Sequence, residues 1–170
     1  MTSASMPCYD RPSPLTDADR AAVSARAVAA ATRVADRHGI RVAEPVVLAE
    51  RYAIRVHLRP APLVARVSTF TALLRHPIDD WLARELDVTR FLHGRGAPVV
   101  PPSDLLPAGP HREDGFAISF WSHVASVSDA PPSVDVAGKM LAELHAALRE
   151  YPGALPLLAP PLNDISRGLT

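Results

Sequence analysis

A chain of 170 residues suits one ordinary domain or one lobe of a larger enzyme, and 48% apolar against 21% charged residues suffices to bury a core. Eighteen Lys and Arg balance eighteen Asp and Glu, so no cationic surplus exists to neutralise a phosphate backbone, which argues against nucleic acid as a partner. The single cysteine, Cys8, excludes an internal disulfide framework and fits a reducing compartment; no signal layout opens the chain, and no apolar run approaches the roughly 18 residues of a membrane span, so the expectation is a cytoplasmic protein with no membrane partner.

Residues 1–15 hold three prolines among small polar residues and read as a flexible lead-in. Thr16 is an N-cap candidate for a helix with Asp17 and Asp19 in its first turn, and Gly39 after Arg37-His38 is its stop. Two strands follow, 46–50 and 52–58, joined by a tight turn near Glu50-Arg51. In the second, Tyr52, Ile54, Val56 and Leu58 alternate with Ala53, Arg55 and His57, the pattern of a half-buried antiparallel strand. After Pro60-Ala61-Pro62 comes LVARVST, a central strand carrying one cation, Arg66, in an apolar setting. No helix separates these strands, so they form an antiparallel meander.

Pro77, with Asp79 and Asp80 behind it, opens a second helix whose Ile78, Trp81, Leu82, Leu86, Val88 and Leu92 follow helical spacing; Gly94, Gly96 and Pro98 end it. Glu85 lies on this helix, nineteen positions after Arg66. A proline-rich segment follows, with a short strand expected at Val99-Val100 and an exposed turn at His111-Arg112-Glu113-Asp114. A further strand spans 116–121, then a linker, SVSDAPPS, and a helix over 134–149 capped by Ser133, with Val136, Met140, Leu141, Leu144 and Leu148 on one face. His145 reads as a near-core helix histidine, and Trp81 as a packing residue. The seven histidines show no ligand spacing, so no metal site is expected.

The order of these elements, with the phrases PVVLAE, HLRPAPLVARVS, ARELDVTRFLHGRGAPVVPPSD, GPHREDGFAISFWSHV and LAELHAALREYPGALP, resembles the aminoglycoside phosphotransferase family, a branch of the protein-kinase-like fold. The resemblance covers about residues 40–170 and implies an α+β fold: a small lobe with an antiparallel sheet of about five strands and packed helices, followed by a C-terminal helix. It divides the chain into the lead-in 1–15, a small lobe and hinge over 16–124, and a linker with the start of a large lobe over 125–170. It implies that Arg66 contacts the phosphates of ATP, that Glu85 orients Arg66, and that Trp121, Ser122, His123 and Val124 line the adenine. Arg66 stands where the family more often has lysine, and binds phosphate by a planar fork instead of a point charge. The turn at Ala49–Tyr52, expected to cover the phosphates, contains no glycine.

Complete members of that family transfer the γ-phosphate of ATP to a hydroxyl of a small molecule, which this sequence does not identify. The positioning Asp, metal-binding Asn and metal-binding Asp lie in their large lobe. Here the only asparagine is Asn163, and His111–Asp114 precedes the hinge strand. The expectation is therefore a truncated chain, inactive alone, in which magnesium binds only if a large lobe is supplied. The alternatives are one half of a split kinase, or a non-catalytic interaction module that self-associates or meets a partner chain through apolar surface over 134–162.

Overall fold

The computed structural model describes residues 16–125, 133–156 and 165; the lead-in 1–15, most of the linker and the greater part of the tail lie outside the described residues. The fold is α+β: a five-stranded antiparallel sheet, helices against it, and a C-terminal helix. The elements are α1 (Asp17–Arg37), β1 (Val42–Glu50), β2 (Ala53–Pro60), β3 (Leu63–Ser68), α2 (Phe70–Leu74), α3 (Ile78–Gly94), β4 (His111–Glu113), β5 (Phe116–Ser122) and α4 (Val134–Leu148). The sheet runs β1-β2-β3-β5-β4.

Helix α1 starts where its capping residues direct. The Thr16 hydroxyl accepts the Asp19 N–H at 3.1 Å, while the Asp19 carboxylate accepts the Thr16 N–H at 2.9 Å, which satisfies two of the orphan donors of the first turn. Gly39, with φ +75°, ends it as expected. Small residues on one stripe, Ala27, Ala30, Ala31 and Ala35 with Val34, let the helix lie close against the sheet. The opposing sheet face supplies Ile54, Val56 and Leu58 from β2, Leu63, Ala65 and Val67 from β3, and Ile118 and Phe120 from β5. This is the main core.

The other sheet face meets α3. Ile78 and Leu82 pack on Ala117, with Trp81 beside them. Arg112 of β4 forks onto Asp79 in the first turn of α3, at 2.8 and 3.1 Å. Helix α4 touches α3 at its far end, through the Arg95–Glu150 pair, the Tyr151 hydroxyl on Asp87, and Tyr151 edge-on to Phe91 at 5.3 Å. The hydrogen bond to Asp87 pushes the Tyr151 phenol above its ordinary pKa.

Several expectations are corrected. His57 is not on a solvated face: it is buried, its ring stacked on His123 at 3.7 Å, with Nε2 3.2 Å from the Ala61 carbonyl. Val99 and Val100 form no strand. Prolines 98, 101 and 102 leave too few donors for a ladder, and the segment contributes only an isolated bridge between Pro102 and Trp121. Residues 111–113 are strand β4, paired with β5 through a two-residue turn at Asp114-Gly115, where both residues have positive φ. The carboxylates there are held from α1: Glu113 by Arg33 at 2.6 Å and Arg37 at 2.7 Å, and Asp114 by Arg26 at 3.0 Å. His145 is exposed, as is most of the apolar side of α4, because among the described residues the main contact of that helix is with the end of α3. Helix α2 was not foreseen. No helix among the described residues is long and apolar enough to cross a membrane.

Candidate functional site

Alternation along β3 sends Leu63, Ala65 and Val67 toward α1, and therefore Val64, Arg66 and Ser68 toward α3. On α3, Ile78, Leu82 and Glu85 share a stripe at spacings of four and three. Because Ile78 and Leu82 anchor that stripe to the sheet, Glu85 arrives over β3, and its carboxylate accepts a hydrogen bond from an Arg66 Nη1–H. The pair is partly open, with side-chain exposures of 23% and 42%. The structure thus brings together the two residues that the sequence placed nineteen positions apart.

Sequence reasoning missed the neighbours. Arg55 of β2 lies directly opposite Arg66, on the same face, and Ser119 of β5 is opposite on the other side. Two like charges directly across a ladder repel, and Glu85 is the carboxylate bound to Arg66. Among the described residues Arg55 has no ion-pair partner. The signal was the register of the β2–β3 hairpin, which the two residues between the strands, Ala61 and Pro62, fix only once the turn geometry is known.

A cleft of about 310 Å³ opens beside the pair, lined by Arg66, Arg75, Trp81, Arg84, Glu85 and further residues of α2 and α3. Arg75 and Arg84 stand over the Trp81 ring, at 5.4 and 5.1 Å from its centroid. Trp81 therefore packs and also carries cations. Three arginines against one glutamate give the lining two positive charges in surplus. Nearby on the same face, the buried Ser68 hydroxyl has no hydrogen-bond partner among the described residues. This donor set suits an anion with paired oxygens: planar forks in a partly closed site.

The remaining candidates lie at the other end of β5. Leu63 pairs with Ser122 and Arg66 with Ser119, so Ser122 is three residue pairs from Arg66, about 10 Å along the sheet. The Trp121 indole donates to the Ser119 hydroxyl at 2.9 Å. The Ser122 N–H donates to the Pro101 carbonyl at 3.0 Å, and the His123 N–H to the Pro62 carbonyl at 2.9 Å. These two backbone donors are engaged within the chain. The His123 ring covers His57, while Val124 is 62% exposed. Desolvation, and to a lesser degree the charge of His123, hold His57 below the ordinary imidazole pKa.

No family model, curated protein or solved structure matches this chain. Among the described residues, no group of three or more His, Cys, Asp or Glu side chains is placed to hold a metal ion. The electrostatics of the Arg66 face therefore carry the functional argument.

Proposed function

We propose that this chain is a nucleotide-binding lobe of the small-molecule-kinase type, in which the Arg55–Arg66 face and the α3 cleft hold the phosphates of ATP. The observation that carries this reading is the Arg66–Glu85 pair, set between the central strand and the following helix of a sheet ordered β1-β2-β3-β5-β4. In the kinase-like pattern a strand cation held by a helix carboxylate is the phosphate clamp. Glu85 fixes the Arg66 fork, and Arg55 supplies a second cation that Glu85 does not neutralise. With the Ser122 and His123 N–H groups engaged by Pro101 and Pro62, phosphate contacts supply more of the affinity than base contacts. Bound magnesium would shield the phosphate oxygens; the α3 carboxylate that lines the cleft, Glu85, is engaged by Arg66. Transfer to a small-molecule hydroxyl takes a second lobe carrying the positioning and metal-binding acids, supplied in cis or in trans.

The test is a thermal-shift titration of the full chain with ATP and with inorganic triphosphate, with and without magnesium. Wild type is expected to gain melting temperature with both ligands, Arg66→Ala with neither, and Arg55→Ala less than wild type. Rising salt is expected to shrink the shift. Absence of any shift in wild type removes the reading.

One observation favours a second reading, an interaction module. On α4, Val134, Val136 and Leu141 are 87%, 48% and 53% exposed on a helix that has little covering it among the described residues. A partner chain, or a second copy, would remove that apolar surface from water. Sedimentation of the full chain decides: a monomer across the micromolar range argues against self-association.

A further inference from the structure

A second cavity, of about 410 Å³, lies on the α1 side of the sheet and shares no lining residue with the α3 cleft. It is bounded by the first half of α1, the β1–β2 turn and α2. Its walls are apolar, formed by Val23, Ile54, Phe70, Leu73 and Phe116, and its mouth is charged, with Arg20, Glu50 and Arg51. The charged groups are not equivalent. Glu50 accepts a hydrogen bond from the buried Ser24, and Arg20 lies 3.8 Å from Asp17. Arg51, at the tip of the turn, makes no ion pair with any described residue. Helix α2 is only five residues long, yet it presents Phe70 at 43% and Leu73 at 71% exposure. Its alternate side, through Thr71 and Arg75, serves the α3 cleft instead.

A cavity of this size, with apolar walls and one cation free at the entrance, has the form of a small-molecule site. We propose that it binds a small amphipathic carboxylate, the apolar body against Phe70, Leu73 and Phe116 and the carboxylate on the Arg51 guanidinium. The fork of Arg51 matches the two carboxylate oxygens. The body covers apolar surface that α2 otherwise leaves in water. Hydroxyl or ammonium head groups lack this match: the first is neutral, and the second carries the same charge as Arg51, leaving only Glu50, already bonded by Ser24, to receive it.

The test uses the full chain and three eight-carbon probes, octanoate, octanol and octylamine, followed by amide NMR shifts. Octanoate is expected to bind saturably, with octanol and octylamine each about tenfold weaker or more, a difference of about 1.4 kcal/mol. Arg51→Gln, an exposed turn position, is expected to weaken octanoate about tenfold while leaving octanol unchanged. Phe70→Ser is expected to weaken octanoate and octanol alike, with the circular dichroism of both variants equal to wild type. The shifts should centre on residues 51–54, 70–73 and 116. Equal affinity for octanoate and octanol, preference for octylamine, or no saturation at millimolar octanoate overturns the proposal.

Discussion

Gly109 is the position at which one methyl group should do the most damage for its size. Its φ of +111° lies where L side chains are strained, which costs about 1–3 kcal/mol. A Cβ built there would stand 2.7 Å from the Ile118 carbonyl oxygen, 3.1 Å from the His111 amide nitrogen and 3.2 Å from the His111 ring. The first two neighbours are backbone, and Ile118 is fully buried at the centre of β5, so neither can rotate away. Relief requires the 101–110 loop to lift, and that loop is tied to β5 by the Phe120 N–H on the Ala108 carbonyl at 2.9 Å and the Ser103 N–H on the Phe120 carbonyl at 3.0 Å. Overpacking of this kind adds about 1–3 kcal/mol, for a total loss of about 2–6 kcal/mol in Gly109→Ala. Gly39→Ala is the control. It shares the positive φ, at +75°, but its Cβ would meet nothing within 4 Å, so only the left-handed penalty of about 1–2 kcal/mol applies. Urea unfolding of the two variants, followed by tryptophan fluorescence with Trp121 paired to Pro102 as the local reporter, measures the difference. If both variants lose the same stability, the close approach of the loop to β5 is not what selects glycine at 109.

Other predictions probe the caps, the core under the site and the titrating groups. Thr16→Ala removes one half of the reciprocal cap of α1 and should cost about 1 kcal/mol in urea unfolding, with Thr16→Ser restoring it. Leu82→Ala, at a position only 2% exposed, should cost about 2–5 kcal/mol and also weaken the ATP-induced thermal shift, because the stripe that delivers Glu85 loosens. Arg66→Met should change stability by no more than about 1 kcal/mol, since the pair is partly open, while abolishing the ATP shift; a large stability loss would mark the pair as structural instead. His57 has a depressed pKa in the folded chain, so the unfolded chain binds the extra proton. Its contribution is intact above the ordinary imidazole value near 6.5 and is lost as pH falls from there through the lower folded value. Melting temperature should thus decline on acidification below about pH 6.5, and His57→Gln should flatten that part of the profile.

Much of the fold was legible because its boundaries carry local chemistry. Thr16 with Asp19 and Gly39 bracket α1, and Pro77 with Gly94 and Gly96 bracket α3. The Arg66–Glu85 contact was expected from the family resemblance, and the structure supplies its physical reason: strand alternation and helix spacing each fix a face, and two faces that bury their apolar neighbours meet. What failed depends on partners distant in sequence. His57 is buried by a ring 66 positions later, and β4 is a strand because α1 and β5 hold it, not because three residues with an exposed middle prefer extension. The Arg55–Arg66 register, and the bulge that leaves Leu48 unpaired between Val47 and Ala49, follow from turn geometry that composition does not specify. The apolar stripe on α4 was read correctly as a stripe, yet periodicity says nothing about whether anything covers it.

The clasp of α1 on the β4–β5 hairpin sets the order of assembly during synthesis. Arg37 reaches Glu113 across 76 residues, and Arg26 reaches Asp114 across 88. At a bacterial or eukaryotic elongation rate, the ribosome needs about 4–15 s to add those 76 residues after α1 has emerged. Until that interval ends the alanine stripe of α1 has at most the β1–β3 meander, itself made during the interval, to rest on, and the helix cannot be locked until Ile118 and Phe120 complete the surface beneath it. The nascent meander, with β3 still missing its β5 neighbour, is consequently the stage at which this protein is most exposed to pairing with the wrong chain.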